Sequence, residues 1–174
     1  MGELDTIPKL LKHTYEKYRD KKVAIRRKDL GIWKEYTWKD YYEDVKYFSL
    51  GLLSLGLKPG EKVTIIGDND AEYYEAEYAI MAAGGVVVPL YSDAGYSEVK
   101  FLVDHSESKY VVARDQEQVD KLLKVQSELP NLKKIIYWDP KGLWDYEEPI
   151  LIGWEDVLKL GRNCEEEYGD VFAE

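Results

Sequence analysis

Asp68, Asn69 and Asp70 stand together directly after the apolar run Val63-Thr64-Ile65-Ile66, and such a cluster has two chemical uses. Its oxygens suit a hard divalent cation, or they cap the free N–H groups of a following helix. The carboxyl end of a parallel strand is also where open α/β sheets gather ligands. No further acid or histidine stands at a spacing that completes a metal shell, so capping is favoured and no metal ligand is assigned. His13 falls on a polar side of a helical segment, and His105 lies near the end of another, where a cation suits the helix dipole. Neither has a nucleophile or an acid at catalytic spacing. Cys164 sits among glutamates, which disfavour a reactive thiolate. Gly84-Gly85 is the nearest approach to a phosphate-cradling loop, but neither a Walker loop nor a G-x-G-x-x-G run is present, and chain reversal is the simpler use of that pair. No catalytic, nucleotide-binding or metal-binding residue is therefore assigned from the residues themselves.

The elements that must position these groups follow from periodicity and punctuation. Thr6 and Pro8 open a helix whose apolar residues Ile7, Leu10, Leu11, Tyr15 and Tyr18 are expected to pack in the core rather than on lipid, since Glu16 and Asp20 share the polar face. Val23-Ala24-Ile25 and Ile32 to Tyr36 flank the turn-like Lys28-Asp29-Leu30-Gly31, a hairpin. Thr37 and Asp40 form a capping-box pattern before an apolar face through Trp38, Tyr41, Tyr42, Val45, Phe48, Leu52 and Leu53, with Gly56 at the C-terminal turn. Strand and helix then alternate. The strand Lys62 to Ile66 precedes a helix from about Ala71 to Ala83, in which Tyr74 and Tyr78 stand one turn apart as core or interface rings. Val86-Val87-Val88 reads as a strand buried on both faces. A helix capped by Ser97 follows, then the strand Tyr110 to Ala113, a helix opened by Asp115 and Gln118, and the strand Ile135 to Trp138. Asp139-Pro140-Lys141-Gly142 suits a type I turn, and Trp154 to Leu160 a short helix ended by Gly161. Such alternation implies an α/β fold: a mainly parallel sheet flanked by helices, with an N-terminal helix and hairpin. The expected division is an α/β portion over residues 1–161 and an acidic extension over 162–174, poorly ordered in isolation.

A chain of 174 residues that is 45% hydrophobic and 33% charged has the balance of a folded domain. The net charge of −10, from 34 acids against 24 bases, argues against nucleic acid as a partner. Arg26-Arg27-Lys28 and Lys133-Lys134 adjoin strands and read as solvated edges. One cysteine and no leader-like apolar run point to the cytoplasm, and no apolar stretch approaches the roughly 20 residues of a transmembrane helix.

Three runs, in this order and spacing, resemble the first core motifs of the adenylate-forming (AMP-binding) superfamily: Trp33-Lys34-Glu35-Tyr36-Thr37-Trp38, Leu55 to Val63 through Pro59-Gly60, and Met81 to Leu90 through Gly84-Gly85. Asp29 to Trp33, Ile66 to Asn69, Asp115 to Leu123 and Ile136 to Leu143 are similar to bacterial long-chain fatty-acid CoA ligases. The resemblance implies the N-terminal part of such an enzyme's large domain. The full-length enzyme would take fatty acid, ATP, Mg2+ and CoA, and would be cytoplasmic, with peripheral membrane contact as a variant. The family's phosphate loop, adenine motif and lysine are expected beyond Glu174, so the piece alone is expected to be inactive and to bind none of these cofactors. Tyr91-Ser92-Asp93 fall where that family has a similar aromatic-polar-acid run, bordering an acyl or CoA path; a loop leading into a helix is the other reading. The alternative function is a free-standing α/β module that binds a ligand or a protein. A piece of the larger sheet would expose an unpaired edge, and apolar surface with Tyr73, Tyr74 and Trp138 as candidates, and would self-associate.

Overall fold

The computed structural model describes residues 4–168. Helix α1 (Ile7–Tyr18) starts at Thr6, whose hydroxyl accepts from Lys9 N. The stripe that meets the next helix runs through Leu11, Tyr15 and Tyr18, with Tyr15 stacked on Tyr42 at 4.1 Å. Ile7 and Leu10 lie outside that stripe and are 46% and 53% exposed, against the expectation that both would pack in the core. Strands β1 (Val23–Asp29) and β2 (Ile32–Thr37) form an antiparallel hairpin. Its turn is only Leu30-Gly31, both with positive φ, as a two-residue hairpin turn requires. Helix α2 (Trp38–Ser54) has the full capping box: Asp40 N donates to Thr37 Oγ1 at 3.2 Å, and Thr37 N donates to the Asp40 carboxylate at 2.8 Å.

Five parallel strands make the central sheet: β3 (Lys62–Ile66), β4 (Val86–Leu90), β5 (Tyr110–Ala113), β6 (Lys134–Tyr137) and β7 (Leu151–Gly153), in the order β4-β3-β5-β6-β7. Crossover helices α3 (Ala71–Ala82), α4 (Tyr96–His105) and α5 (Gln116–Val125) connect the first four strands, and α6 (Trp154–Asn163) follows β7. Because side chains alternate along a strand, the sheet feeds two cores. Val63, Ile65, Tyr110, Val112 and Ile136 pack toward α1, α2, α3 and α6. Ile66, Val111, Ala113 and Ile135 pack toward α4 and α5. The architecture is α/β with helices on both faces of a parallel sheet, and among the described residues no helix is long and apolar enough to cross a membrane.

Several local expectations change. Strand β4 is an edge, not a strand buried on both faces: Val86 is 47% exposed, and Pro89, which has no N–H to give, stands where no ladder needs one. Gly95, not Ser97, is the N-cap of α4. The turn after β6 closes one residue later than a type I turn at Asp139 would, with Leu143 N donating to Pro140 O at 3.1 Å and Gly142 at φ +81°. That positive φ at the third residue is the type II signature. Trp138 is buried, so it does not belong to an exposed face; Tyr73 is half-buried and Tyr74 is more open. Strand β7 was not foreseen. Residues 165–168 add a helical turn within the expected acidic extension, and 169–174 lie outside the described residues.

Gly161 does not end α6. It lies buried inside that helix, against α2: a Cβ there would stand 1.8 Å from Tyr47 O, and one on Gly51 would stand 2.3 Å from Val157 O. The two helices therefore touch backbone to backbone, and no larger side chain fits without moving one of them. Gly161→Ala should lower the stability measured by urea unfolding by at least about 1–3 kcal/mol, the ordinary range for overpacking. A change below roughly 0.5 kcal/mol, the scatter of neutral surface substitutions, would mean that the helices separate freely.

Candidate functional site at the carboxyl edge of the sheet

The chain leaves β3 toward β4 on one side and returns to β5 on the other, so the carboxyl ends of β3 and β5 flank the topological switch of the sheet. Arg114, directly after β5, is fixed there by its backbone: its N–H donates to Ile66 O at 3.0 Å and its carbonyl accepts from Asp139 N at 2.7 Å. Its side chain turns toward β3, where Nε meets Asp70 Oδ2 at 3.1 Å and Nη1 meets the Asp68 carboxylate, with Asp115 Oδ2 at 3.6 Å. Asp70 also accepts from the Trp138 indole N–H at 3.2 Å and pairs with Arg27 of β1 at 3.5 Å. Arg27 in turn reaches Glu72 Oε2 at 3.3 Å. Gly67 lets these groups converge, because a Cβ there would lie 2.5 Å from the Trp138 ring and 2.7 Å from Arg114 Cβ.

The electrostatics follow from this crowding. Partial burial works against the charge on Arg114, but the carboxylates of Asp70, Asp68 and Asp115 outweigh it and raise its pKa above the ordinary value. Burial foremost raises Glu72, although Arg27 opposes that rise. Both arginines are committed to carboxylates, and Asp68 and Asp70 stand before the first turn of α3, where a phosphate would otherwise find free N–H groups. At this edge, among the described residues, carboxylates stand where a phosphate would need positive charge.

The structure changes the expectation for one of the predicted residues. Asp70 is the N-cap of α3 by position, yet its side chain makes no capping bond and serves Arg114, Arg27 and Trp138 instead. Asn69 is exposed. Tyr91, Ser92 and Asp93 form the loop from β4 toward α4, beside this cluster: Ser92 Oγ donates to Asp68 Oδ1 at 3.0 Å. The Ser92 carbonyl accepts from Gln118 Nε2 at 3.1 Å and from the buried Lys121 Nζ at 2.8 Å. Tyr91 is 83% exposed and Asp93 is exposed, so both project from the rim. His105 stacks on Phe101 at 5.4 Å, and Cys164 Sγ lies 3.5 Å from Ser54 Oγ, both away from this edge. Gly84-Gly85 reverses the chain, with Gly85 N donating to Ile80 O at 2.8 Å.

Sequence reasoning missed Arg114, Arg27, Gln118 and Lys121. The available signal was Arg114 itself, a cation directly after a fully apolar strand in a chain whose neighbouring strand ends in Asp68 and Asp70. Arg114→Met should cost about 1–3 kcal/mol, between the values for exposed and buried ion pairs, since the Asp70 side chain is only 12% exposed. In a denaturation double-mutant cycle, adding Asp70→Asn should recover part of that loss; strictly additive losses would show that the pair is not coupled.

Residues 11–157 match the AMP-binding enzyme family. A long-chain-fatty-acid–CoA ligase of Xenopus laevis is 32% identical over 158 residues, 91% of this chain and 21% of its own length. The long-chain-fatty-acid–CoA ligase heimdall of Drosophila melanogaster is 31% identical over 156 residues, 87% of this chain and 23% of its own. The chain thus spans about a fifth of the length of the curated relatives it matches. Two solved structures share the fold. The coronafacic acid ligase of Pectobacterium brasiliense has a TM-score of 0.75 at 21% identity, over 86% of this chain and 28% of its own. The A-PCP didomain of carboxylic acid reductase from Segniliparus rugosus has 0.72 at 15% identity, over 89% and 26%. With the parallel sheet, the hairpin and the family match running together from α1 to α6, the chain belongs to the AMP-binding enzyme family.

Proposed function

We propose that the chain is the N-terminal scaffold portion of an AMP-forming long-chain acyl-CoA synthetase, of the bacterial type that its sequence runs resemble. The whole enzyme converts fatty acid, ATP and CoA into acyl-CoA, AMP and pyrophosphate, with magnesium on the nucleotide. The observation that carries this reading is the family match over residues 11–157, joined to relatives named long-chain-fatty-acid–CoA ligases. In this reading residues 1–161 supply the N-terminal α/β portion of the AMP-binding domain. Residues 162–174, the first of which finish α6, lead toward the remainder. The piece itself holds no catalytic group and none of the cofactors: its carboxyl edge is spent on ion pairs that fix strand ends and loops. Tyr91, Ser92 and Asp93 border the acyl or CoA path of the whole enzyme, a role supported by the exposed Tyr91 and Asp93 on the rim. The compartment is the cytoplasm, with peripheral membrane contact by the whole enzyme. A free-standing ligand- or protein-binding module is the second reading, favoured by the two closed cores, in which Val45, Phe48, Val111 and Leu122 are fully buried.

The coding sequence beyond Glu174 separates the two. Continuation into a Ser/Thr/Gly phosphate loop supports the ligase, and a native stop codon favours the module. The purified chain, incubated with ATP, magnesium, palmitate and CoA, should release no AMP above a blank, because nothing in it stabilises charge moving onto pyrophosphate. Sustained turnover would refute the scaffold role. The exposed edge at β4 should also support self-association. Sedimentation velocity should show concentration-dependent association that Val86→Lys weakens; a monomer at all concentrations would remove this edge as an interface.

A further inference from the structure

A cavity of about 420 Å³ opens beside the carboxyl ends of β6 and β7, enclosed by α2, α3 and α6. Its polar lining is acidic: Asp44 from α2, Glu72 and Glu75 from α3, and Glu155 and Asp156 from α6. Three cations lie nearby, and Arg162, over the Tyr47 ring at 5.1 Å, acts on Asp44 only through its field. Lys159 bonds Asp156 at 2.9 Å and points largely into solvent, and Arg27 bonds Glu72. Glu75 is 1% exposed and its Oε1 has no hydrogen-bond partner. Neither it nor Asp44 has an ion pair among the described residues. Leaving a buried carboxyl oxygen unmatched is costly, so this position is organised around something other than the fold's own bonds. Burial foremost, then Asp44 and Glu72, holds the Glu75 carboxyl well above the usual carboxylate range, and burial with Glu155 pushes Asp44 up to about 6 against the opposing charge of Arg162.

The remaining walls narrow the chemistry. Tyr36, Tyr137, Trp138 and Trp154 line the same cavity. Carboxylates set among aromatic rings suit an organic cation, which gains from ring faces as well as from charge. Among the described residues no group of three acids, histidines or cysteines is arranged to hold a metal ion, and the cavity is far larger than a bare ion needs. A planar guanidinium meets carboxylates through two N–H groups at once, is weakly hydrated and stacks on aromatic rings; an ammonium does the first two poorly. We propose that this cavity is a binding site for a guanidinium group on a short alkyl stem, with Glu75 and Asp44 as its acceptors. The group comes either from a free small molecule or from an arginine side chain of a polypeptide. The inference stands apart from the ligase reading, since its acceptors Glu75 and Asp44 come from α3 and α2, although Glu72 and Trp138 are shared with the ion-pair cluster.

Calorimetric titration tests it with agmatine and with the tripeptide Gly-Arg-Gly as probes, against butylamine as the ammonium control. At least one guanidinium probe should bind, with a proton released to buffer as Glu75 ionises, read from heats in two buffers of different ionisation enthalpy. Agmatine binding alone assigns a free ligand, and tighter binding of the peptide assigns a side chain. Glu75→Gln should weaken binding at least 10-fold and abolish the proton release, while Glu98→Gln on the opposite face of the sheet leaves both unchanged. Glu75→Gln replaces the neutral acid by an amide of the same shape that cannot ionise, and an unchanged circular dichroism melt verifies its fold. Absence of binding by both guanidinium probes at millimolar concentration, equal binding by butylamine, or equal affinity of folded Glu75→Gln would overturn the proposal.

Discussion

The backbones of α2 and α6 meet at Gly51 and Gly161, and most of the molecule is arranged around that contact. Helix α2 is covered on one side by α1 and α3 and on the other by α6, which is why Ser49, Leu50 and Gly51 are as buried as Val45, Phe48 and Leu52. The close approach brings Trp154 onto Phe48 at 3.9 Å, and Trp154 directly follows β7. The short β7 is thus held at the end of the sheet by the helix it leads into, as well as by its pairing with β6. Two absent side chains at one crossing link the N-terminal helices to the last strand.

At the carboxyl edge of the sheet, charge does what apolar packing does near α2. Asp70 receives Arg114, Arg27 and the Trp138 indole, so β1, β3, β5 and β6 are tied together at one carboxylate. A single ion pair on a surface contributes little, but a carboxylate with a 12% exposed side chain and three donors orients every strand end it touches. The hairpin, which shares no ladder with the central sheet, is anchored through Arg27.

Much of the fold was legible because its signals are local. Thr37 and Asp40 bond one another across three residues, and the apolar run before Gly67 needs no distant partner to read as a strand. What escaped depends on neighbours that sequence order does not name. A run such as Val86-Val87-Val88 reports apolar character but not whether a strand lies on each side, so its edge position was invisible. Three residues are too few for β7 to display a period. Gly161 looks the same as a helix terminator or as a contact point until Tyr47 is known to lie against it. Asp70 resembled a helix cap because caps act over three residues, whereas its partner Arg114 is 44 positions away. The candidate site was legible in outline, as acids at a strand end, and its arginines were not.

The Gly51–Gly161 crossing also sets a timetable for synthesis. Helix α2 leaves the ribosome in the first third of the chain with one flank bare, and the helix that covers it emerges more than a hundred residues later. Until then Phe48 and its neighbours have no Trp154 to lie against, a long wait of the kind that slows folding and invites association with other chains. A nascent chain stalled before α6 therefore presents a helical hydrophobic flank to chaperones, and one released after it does not.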